Sequence, residues 1–243
     1  MGRIVAFSYG LVSYLIFLVA FLYAIGFVGN VAVSKSVDTG LEVSFSTALI
    51  INIVLLGLFA MQHNVMARPW FKQWWTRLVP HSIERSTYVL FASLLLLLLY
   101  WQWRPMPDVV WNVENAIGRY LLQALFWIGW LTVLLSTFMI NHFDLFGLRH
   151  VFLHLQGQSY RPLEFKATGL YNLMRHPLML GFIIAFWATP RMTQGHLLFA
   201  VVTTVWILIS IQLEERDLIK FHGADYENYR RKTSMLLPIP KKP

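Results

Sequence analysis

The sequence predicts an all-α, polytopic integral membrane protein, and three observations carry that expectation. Of the 243 residues, 57% are hydrophobic and only 13% are charged, about half the ~25% charged share of a soluble domain. Four apolar runs without a charge are each long enough for a hydrocarbon core, which needs roughly 17–25 residues of helix. Lysine and arginine gather beside alternate ends of those runs. There is no cysteine, which excludes disulfides, thiolate metal sites and cysteine nucleophiles. The net charge of +8 sits beside apolar segments and so points to a membrane surface rather than to nucleic acid.

The first run, Ile4 to Val28, is too long for a signal-peptide core of about 7–15 residues and no small-x-small cleavage site follows it, so it is expected to stay as an anchor. The second is Phe45 to Met66, the third Ser86 to Trp103 and the fourth Tyr120 to Ile140. In lipid the backbone must satisfy its own hydrogen bonds, so all four are expected to be helices. A C-terminal hairpin follows, turning at Pro190–Gly195. Its first arm, Leu178 to Pro190, is too short for a full crossing, whereas Met192 to Leu213 is long enough. The total is five to six crossings in one membrane domain over residues 1–243, with 1–140 as the four-helix part and 141–243 as the part that holds the hairpin and the longest polar stretches. Residues 143–155 read as an amphipathic helix lying at the interface.

With the N-terminus inside, 16 of the 20 lysines and arginines fall on the cytoplasmic side and 4, Lys35, Arg104, Arg119 and Arg191, on the other. Both termini are therefore expected in the cytoplasm, of a bacterial inner membrane. The two longest polar stretches, 141–177 and 214–243, share that face and flank the hairpin.

Three local patterns there could carry chemistry. The first is Gly169-Leu-Tyr171-Asn-Leu-Met-Arg175-His176-Pro177-Leu178-Met179-Leu-Gly181, in which proline opens a helix. The second is Glu214-Glu215-Arg216-Asp217-Leu218, expected at the C-terminal end of the last long helix, where a carboxylate opposes the helix dipole. The third is Gly223-Ala-Asp-Tyr226-Glu-Asn-Tyr229, followed by basic residues and Leu237-Pro238. Glu214 and Glu215 could pair with Arg175 or Arg216 as an interfacial ion pair, or one of them could serve a ligand. Among the histidines, His63 stands inside an apolar helix, where polar residues default to function. His142 and Asp144 stand at the exit of the fourth helix. His81, His150, His154, His196 and His222 read as surface or interfacial residues.

These patterns, in this order over about residues 156–240, resemble the C-terminal half of the isoprenylcysteine carboxyl methyltransferases and their bacterial relatives. Leu22 to Asn30, Gln62 to Pro69, Ile83 to Tyr88 and His142 to Leu148 extend the resemblance toward the bacterial methanethiol S-methyltransferase branch. The resemblance implies an S-adenosyl-L-methionine site on the cytoplasmic side and no metal. Carried over residue by residue, cofactor contacts fall on Gln156, on the 163–166 segment with Leu163 and Lys166, on Tyr171, on Arg175, His176, Pro177, Leu178 and Met179, and on Glu214. Met179 replaces the aromatic residue usual two places after the proline. Ser210 replaces the arginine that meets a substrate carboxylate in the isoprenylcysteine enzymes, and a small thiol would need no such counter-charge. The resemblance thus implies methylation of a small thiol, with Ser210 and His63 toward the substrate and His142, Asp144 or His63 as proton acceptor. Membrane lipid is the expected surrounding, with no obligate protein partner. The alternatives are a prenylcysteine carboxylate or lipid amine as acceptor, and haem binding of the kind found in membrane proteins related to nitrite and nitric-oxide reduction.

The charge split predicts that reporter fusions after Val33 and after Pro107 are exported, while fusions after Trp75 and at the C-terminus are retained. An exported C-terminal fusion would invert the topology.

Overall fold

The computed structural model describes residues 2–163 and 166–239. Among them the elements run α1 (Arg3–Gly29), α2 (Phe45–Ala67), α3 (Pro69–Trp75), α4 (His81–Gln102), β1 (Val109–Asn112), α5 (Ala116–Ile140), α6 (His142–Leu145), α7 (Leu148–Leu155), a 3-10 turn (Gly169–Asn172), α8 (Pro177–Trp187), β2 (Arg191–Thr193), α9 (Gln194–His222) and α10 (Ala224–Lys232). Five helices, α1, α2, α4, α5 and α9, are long and apolar enough to cross a membrane. The chain is an integral membrane protein. At 11 residues, α8 reaches about 16 Å at ~1.5 Å per residue.

The chain divides into two compact units, Met1–Pro107 with His142–Pro162, and Asp108–Asn141 with Leu163–Pro243. This grouping follows a different line from the functional division expected at residue 140, because α5 packs with the C-terminal elements.

In the first unit α4 packs against α1 and α2, and α7 packs against α1 and α4. The amphipathic stretch 143–155 is not one continuous helix. It breaks at Gly147, whose φ of +87° is open to glycine and whose Cα faces the backbone of Ser86 so closely that a Cβ would stand 2.9 Å from Ser86 N. The apolar side of α7 turns inward, where Val151 is fully buried with Ala6 and Ile83. The side chain of Asn52 bonds to both backbone groups of Arg104 (2.9 Å from its N–H, 2.7 Å to its carbonyl), closing the end of α4.

In the second unit the central contact is α5 against α8. A Cβ on Gly129 would lie 2.7 Å from Ala185 N and 2.8 Å from Gly181 O, and one on Gly181 would lie 2.8 Å from Gly129 O. Small residues at this crossing let two backbones touch, which is how helices gain packing where lipid offers no hydrophobic drive. The expected turn at Pro190–Gly195 contains a short strand, β2, which pairs antiparallel with β1. Trp111 Nε1 donates to Thr189 O at 3.1 Å and Val113 N to Pro190 O at 2.8 Å, so the loop between α8 and α9 is tied to the start of α5. Here too a sequence expectation fails: His196 is not at a surface but fully buried, with Nε2 2.9 Å from the carbonyl oxygen of Phe186. The α9 helix runs on to His222, nine residues beyond the apolar run.

Gly181→Leu is expected to force the α5 and α8 backbones apart and to cost roughly 1–3 kcal/mol, the usual range for overpacking. Thermal unfolding in detergent checks this, and a wild-type melting curve would contradict the backbone contact.

Candidate active site

Three separated stretches of the second unit meet around one buried carboxylate. Glu215 on α9, with 3% of its side chain exposed, accepts Arg175 Nε on Oε1 at 2.6 Å, and the same oxygen lies 3.1 Å from His176 Nε2. Its Oε2 stands 3.1 Å from Arg230 Nε on α10. Arg175 spends its Nη1 on backbone carbonyls, those of Arg230 at 3.1 Å and of Thr233. The backbone supports the same junction, since Arg175 N donates to Ser234 O at 2.9 Å and His176 N to Met235 O at 3.1 Å. The motif Arg-His-Pro, the Glu-Glu pair and the segment after Tyr229 therefore form one cluster.

The adjacent carboxylate behaves differently. Glu214 keeps 47% of its side chain exposed, and its Oε2 lies 3.9 Å from His176 Nδ1. The Glu-Glu pair thus splits into an inner residue that holds the fold and an outer one open to a ligand. The expectation that both stand at a helix C-terminus is corrected by α9, which continues for seven residues past Glu215. The helix dipole therefore does not explain them, and the ion cluster does.

His176 is the N-cap of α8 and makes no side-chain bond to the first turn, so the amides of Leu178 and Met179 keep the donor capacity of a helix start, suited to a polar or anionic group. Ahead of it, the 3-10 turn is held on both sides. Tyr229 Oη donates to Tyr171 O at 2.5 Å, and Thr168 Oγ1 donates to Met139 O at 3.0 Å. Burial, helped by the charge of Glu214, pushes the phenol of Tyr171 up from its ordinary range. Burial pushes Tyr229 up to about 12, so it stays a hydrogen-bond donor across the physiological range.

The remaining predicted residues lie elsewhere. Ser210 is buried on α9, one turn before Glu214. Leu163 and Lys166 belong to the second unit and are exposed, residues 164 and 165 between them lie outside the described residues, and exposed Gln156 ends α7 in the first unit. His63, His142 and Asp144 all belong to the first unit. The Nε2 of buried His142 lies 2.8 Å from Tyr14 Oη, and burial lowers its pKa, which keeps the imidazole uncharged near neutrality. Tyr88 Oη stands within reach of both ring nitrogens of His63, at 2.9 and 3.1 Å. Asp144 pairs with Arg149 at 2.8 Å and accepts Tyr160 Oη at 3.3 Å. Among the described residues no three histidine, aspartate or glutamate side chains converge as metal ligands.

Comparison with known proteins decides the family. The phospholipid methyltransferase family model matches residues 118–225, a range that contains most of α5, all of α8 and α9, and both glutamates. A methanethiol S-methyltransferase of Mycobacterium tuberculosis is 60% identical over 99% of this chain and 98% of its own length. The chain belongs to the methanethiol S-methyltransferase family. Relatives of the same name from Crocosphaera subtropica and Bradyrhizobium diazoefficiens are 52% and 55% identical, over 94% and 83% of their own lengths. No solved structure matches the chain. Membership makes the protein a methyltransferase, with a methyl donor and a small-molecule acceptor to accommodate.

For this methyltransferase, sequence reasoning marked the three stretches that meet but missed Glu215 and Arg230 as their common tie. The signal was present only as an alternative, a pairing of one glutamate with Arg175.

The two glutamates are expected to separate under mutation. Glu215→Ala leaves Arg175 and His176 buried without the carboxylate they share, and breaking such a pair costs about 3–5 kcal/mol, whereas Glu214→Ala should melt like wild type. Unfolding in detergent measures both, and equal stability of the two variants would refute the assignment.

Proposed function

We propose that this chain methylates methanethiol to dimethyl sulfide, using S-adenosyl-L-methionine as donor. The full-length likeness to relatives of that name carries the reading. The donor set of the second unit fits the proposed donor: an exposed carboxylate at Glu214 for hydroxyl or ammonium groups, free donor capacity at the start of α8, and the aromatic face of Tyr171 beside a carboxylate, suited to a cation. Tyr171, Arg175, His176, Pro177, Leu178, Met179 and Glu214 would hold it, with Gln156, Leu163 and Lys166 as further proposed contacts. Bound there, S-adenosylmethionine supplies a methyl group on a positively charged sulfur, which makes the methyl carbon electrophilic.

The chain's own residues have three tasks in this reading. Arg175, Glu215 and Arg230 hold the α8 start, α9 and α10 in register, so that Glu214 and Tyr171 face a ligand together. Ser210, standing where a cation would serve a carboxylate acceptor, suits a neutral acceptor, because a buried unpaired charge is costly. A thiol with a pKa near ~8.5 or above must lose its proton before it attacks. We propose the imidazoles of His142 and His63 for that proton, while Asp144, held by Arg149, acts through the fold around them. The whole chain works as one methyltransferase domain, with the donor site at the cytoplasmic face of a bacterial inner membrane and both termini inside, as the basic residues favour.

The test supplies S-adenosylmethionine with methanethiol, longer alkyl thiols, a farnesyl-cysteine analogue and a phospholipid amine to purified protein. Dimethyl sulfide, followed by gas chromatography, is the expected product. Ester or methylated lipid without volatile sulfide would move the acceptor to another class, and a Soret band would favour haem. Glu214→Ala is expected to weaken donor binding by roughly 1.5–3 kcal/mol, the scale of a charged hydrogen bond, and calorimetry on the folded variant measures it.

A further inference from the structure

Met66, Tyr88 and Val89 form a buried cluster in the first unit, with Phe17, Phe71, Trp75 and Phe146 packed around it. Both candidate histidines border this cluster. The His63 ring lies 5.4 Å from that of Tyr88, and the His142 ring meets Phe146 edge-on at 4.9 Å. Phe17 and Phe146, stacked at 3.8 Å, join the two sides.

Two polar atoms beside the cluster are buried without a hydrogen-bond partner, Gln62 Oε1 and Trp75 Nε1. One is an acceptor and the other a donor. Gln62 Nε2 lies 3.1 Å from Met66 Sδ, and Trp75 packs on the cluster that Met66, Tyr88 and Val89 form. Buried polar atoms are almost always paired, and an unpaired set in a native fold calls for a ligand, a water or a catalytic use. The neighbouring cations are engaged elsewhere: Arg85 gives its Nε to Leu145 O at 2.8 Å and lies over the Tyr88 ring, and Arg68 gives its Nε to Asn64 O at 3.2 Å.

We propose that this aromatic cluster is the receiving site for the acceptor thiol, with Trp75 Nε1 donating to the sulfur and Gln62 Oε1 accepting from the S–H. The inference rests on the thiol reading above and adds where the thiol is recognised. A small alkyl thiol is the class that fits: one weak donor, one weak acceptor and an apolar remainder for Met66, Phe71 and Tyr88. Water would satisfy the two polar atoms but would gain nothing from the rings and thioether around them. Selectivity among thiols then comes from bulk, above all from Met66.

The test measures Michaelis constants for thiol and donor separately, together with the ratio of kcat/KM for propanethiol over methanethiol. Trp75→Phe and Gln62→Leu each remove one polar contact and are expected to raise the thiol KM by about 2–10-fold, the usual worth of a hydrogen bond, with the donor KM and the melting temperature unchanged. Met66→Ala is expected to raise the propanethiol to methanethiol ratio by ~10-fold or more, since a methylene in an apolar pocket is worth about 10–200-fold. Damage to the fold lowers activity with both thiols and does not invert their ranking. If all three variants fold and leave thiol KM and ranking as in wild type, the two polar atoms hold water only and the proposal fails. A wild-type protein that binds donor and makes no sulfide would overturn the thiol reading itself, and this inference with it.

Discussion

A carboxylate with only 3% of its surface exposed survives at Glu215 because both of its oxygens are met by cationic or imidazole nitrogens from outside its own helix. Removing charges from water costs several kcal/mol per ion, and attraction repays it only where hydrogen bonding is nearly complete. The second unit meets that condition by bringing Arg175 and His176 from one side and Arg230 from another. Arg175 in turn uses up backbone carbonyls that α10 would otherwise leave unpaired. This single junction therefore sets the start of α8, the face of α9 and the position of α10 at once. Glu214 stays open to solvent beside a neighbour, Glu215, that is firmly tied.

The same constraint explains the shape of the hairpin. At its other end α8 has no ion cluster, and it is held instead by backbone contact with α5 at Gly129 and Gly181 and by the β1–β2 pair. An 11-residue helix buries little side-chain surface of its own. Its placement depends on close packing along its length and on polar ties at both ends. A ligand resting on the first turn of α8 would thus meet a rigid support.

Much of this was legible from residue order, and the rest failed for identifiable reasons. The long spans follow from uncharged runs, because lipid admits little else, and their ends differ from the helices by a few residues where polar turns continue the helix, as at His81–Arg85. The strand pair could not be read, since β2 has three residues and no alternating pattern. The stretch 143–155 has the composition of an interfacial helix, but Gly147 breaks it and Val151 is taken up by Ala6 and Ile83. His196 resembles any loop histidine until the carbonyl of Phe186 is found beside it. At the site, composition marks Glu214 and Glu215 equally. Only the rotation of α9 decides which of them faces inward, and that rotation is set by Arg175 and Arg230, 40 residues before and 15 after Glu215 in sequence.

Under the proposed function the two units would meet different recognition problems, and their chemistry differs accordingly. A donor carrying charges and hydroxyl groups needs fixed ions and free backbone donors, and these are concentrated around Arg175, His176 and the glutamates. A small thiol offers almost nothing to a charged group, so its recognition must come from shape and from a few neutral polar atoms. The surroundings of His63, Trp75 and His142 are of that kind: aromatic rings, a thioether, an amide and imidazoles with tyrosine hydroxyls beside them. Loss of a single ion from the first kind of site disrupts several elements together. In the proposed thiol site, loss of a single neutral contact would change affinity and size preference while the helices stay in place.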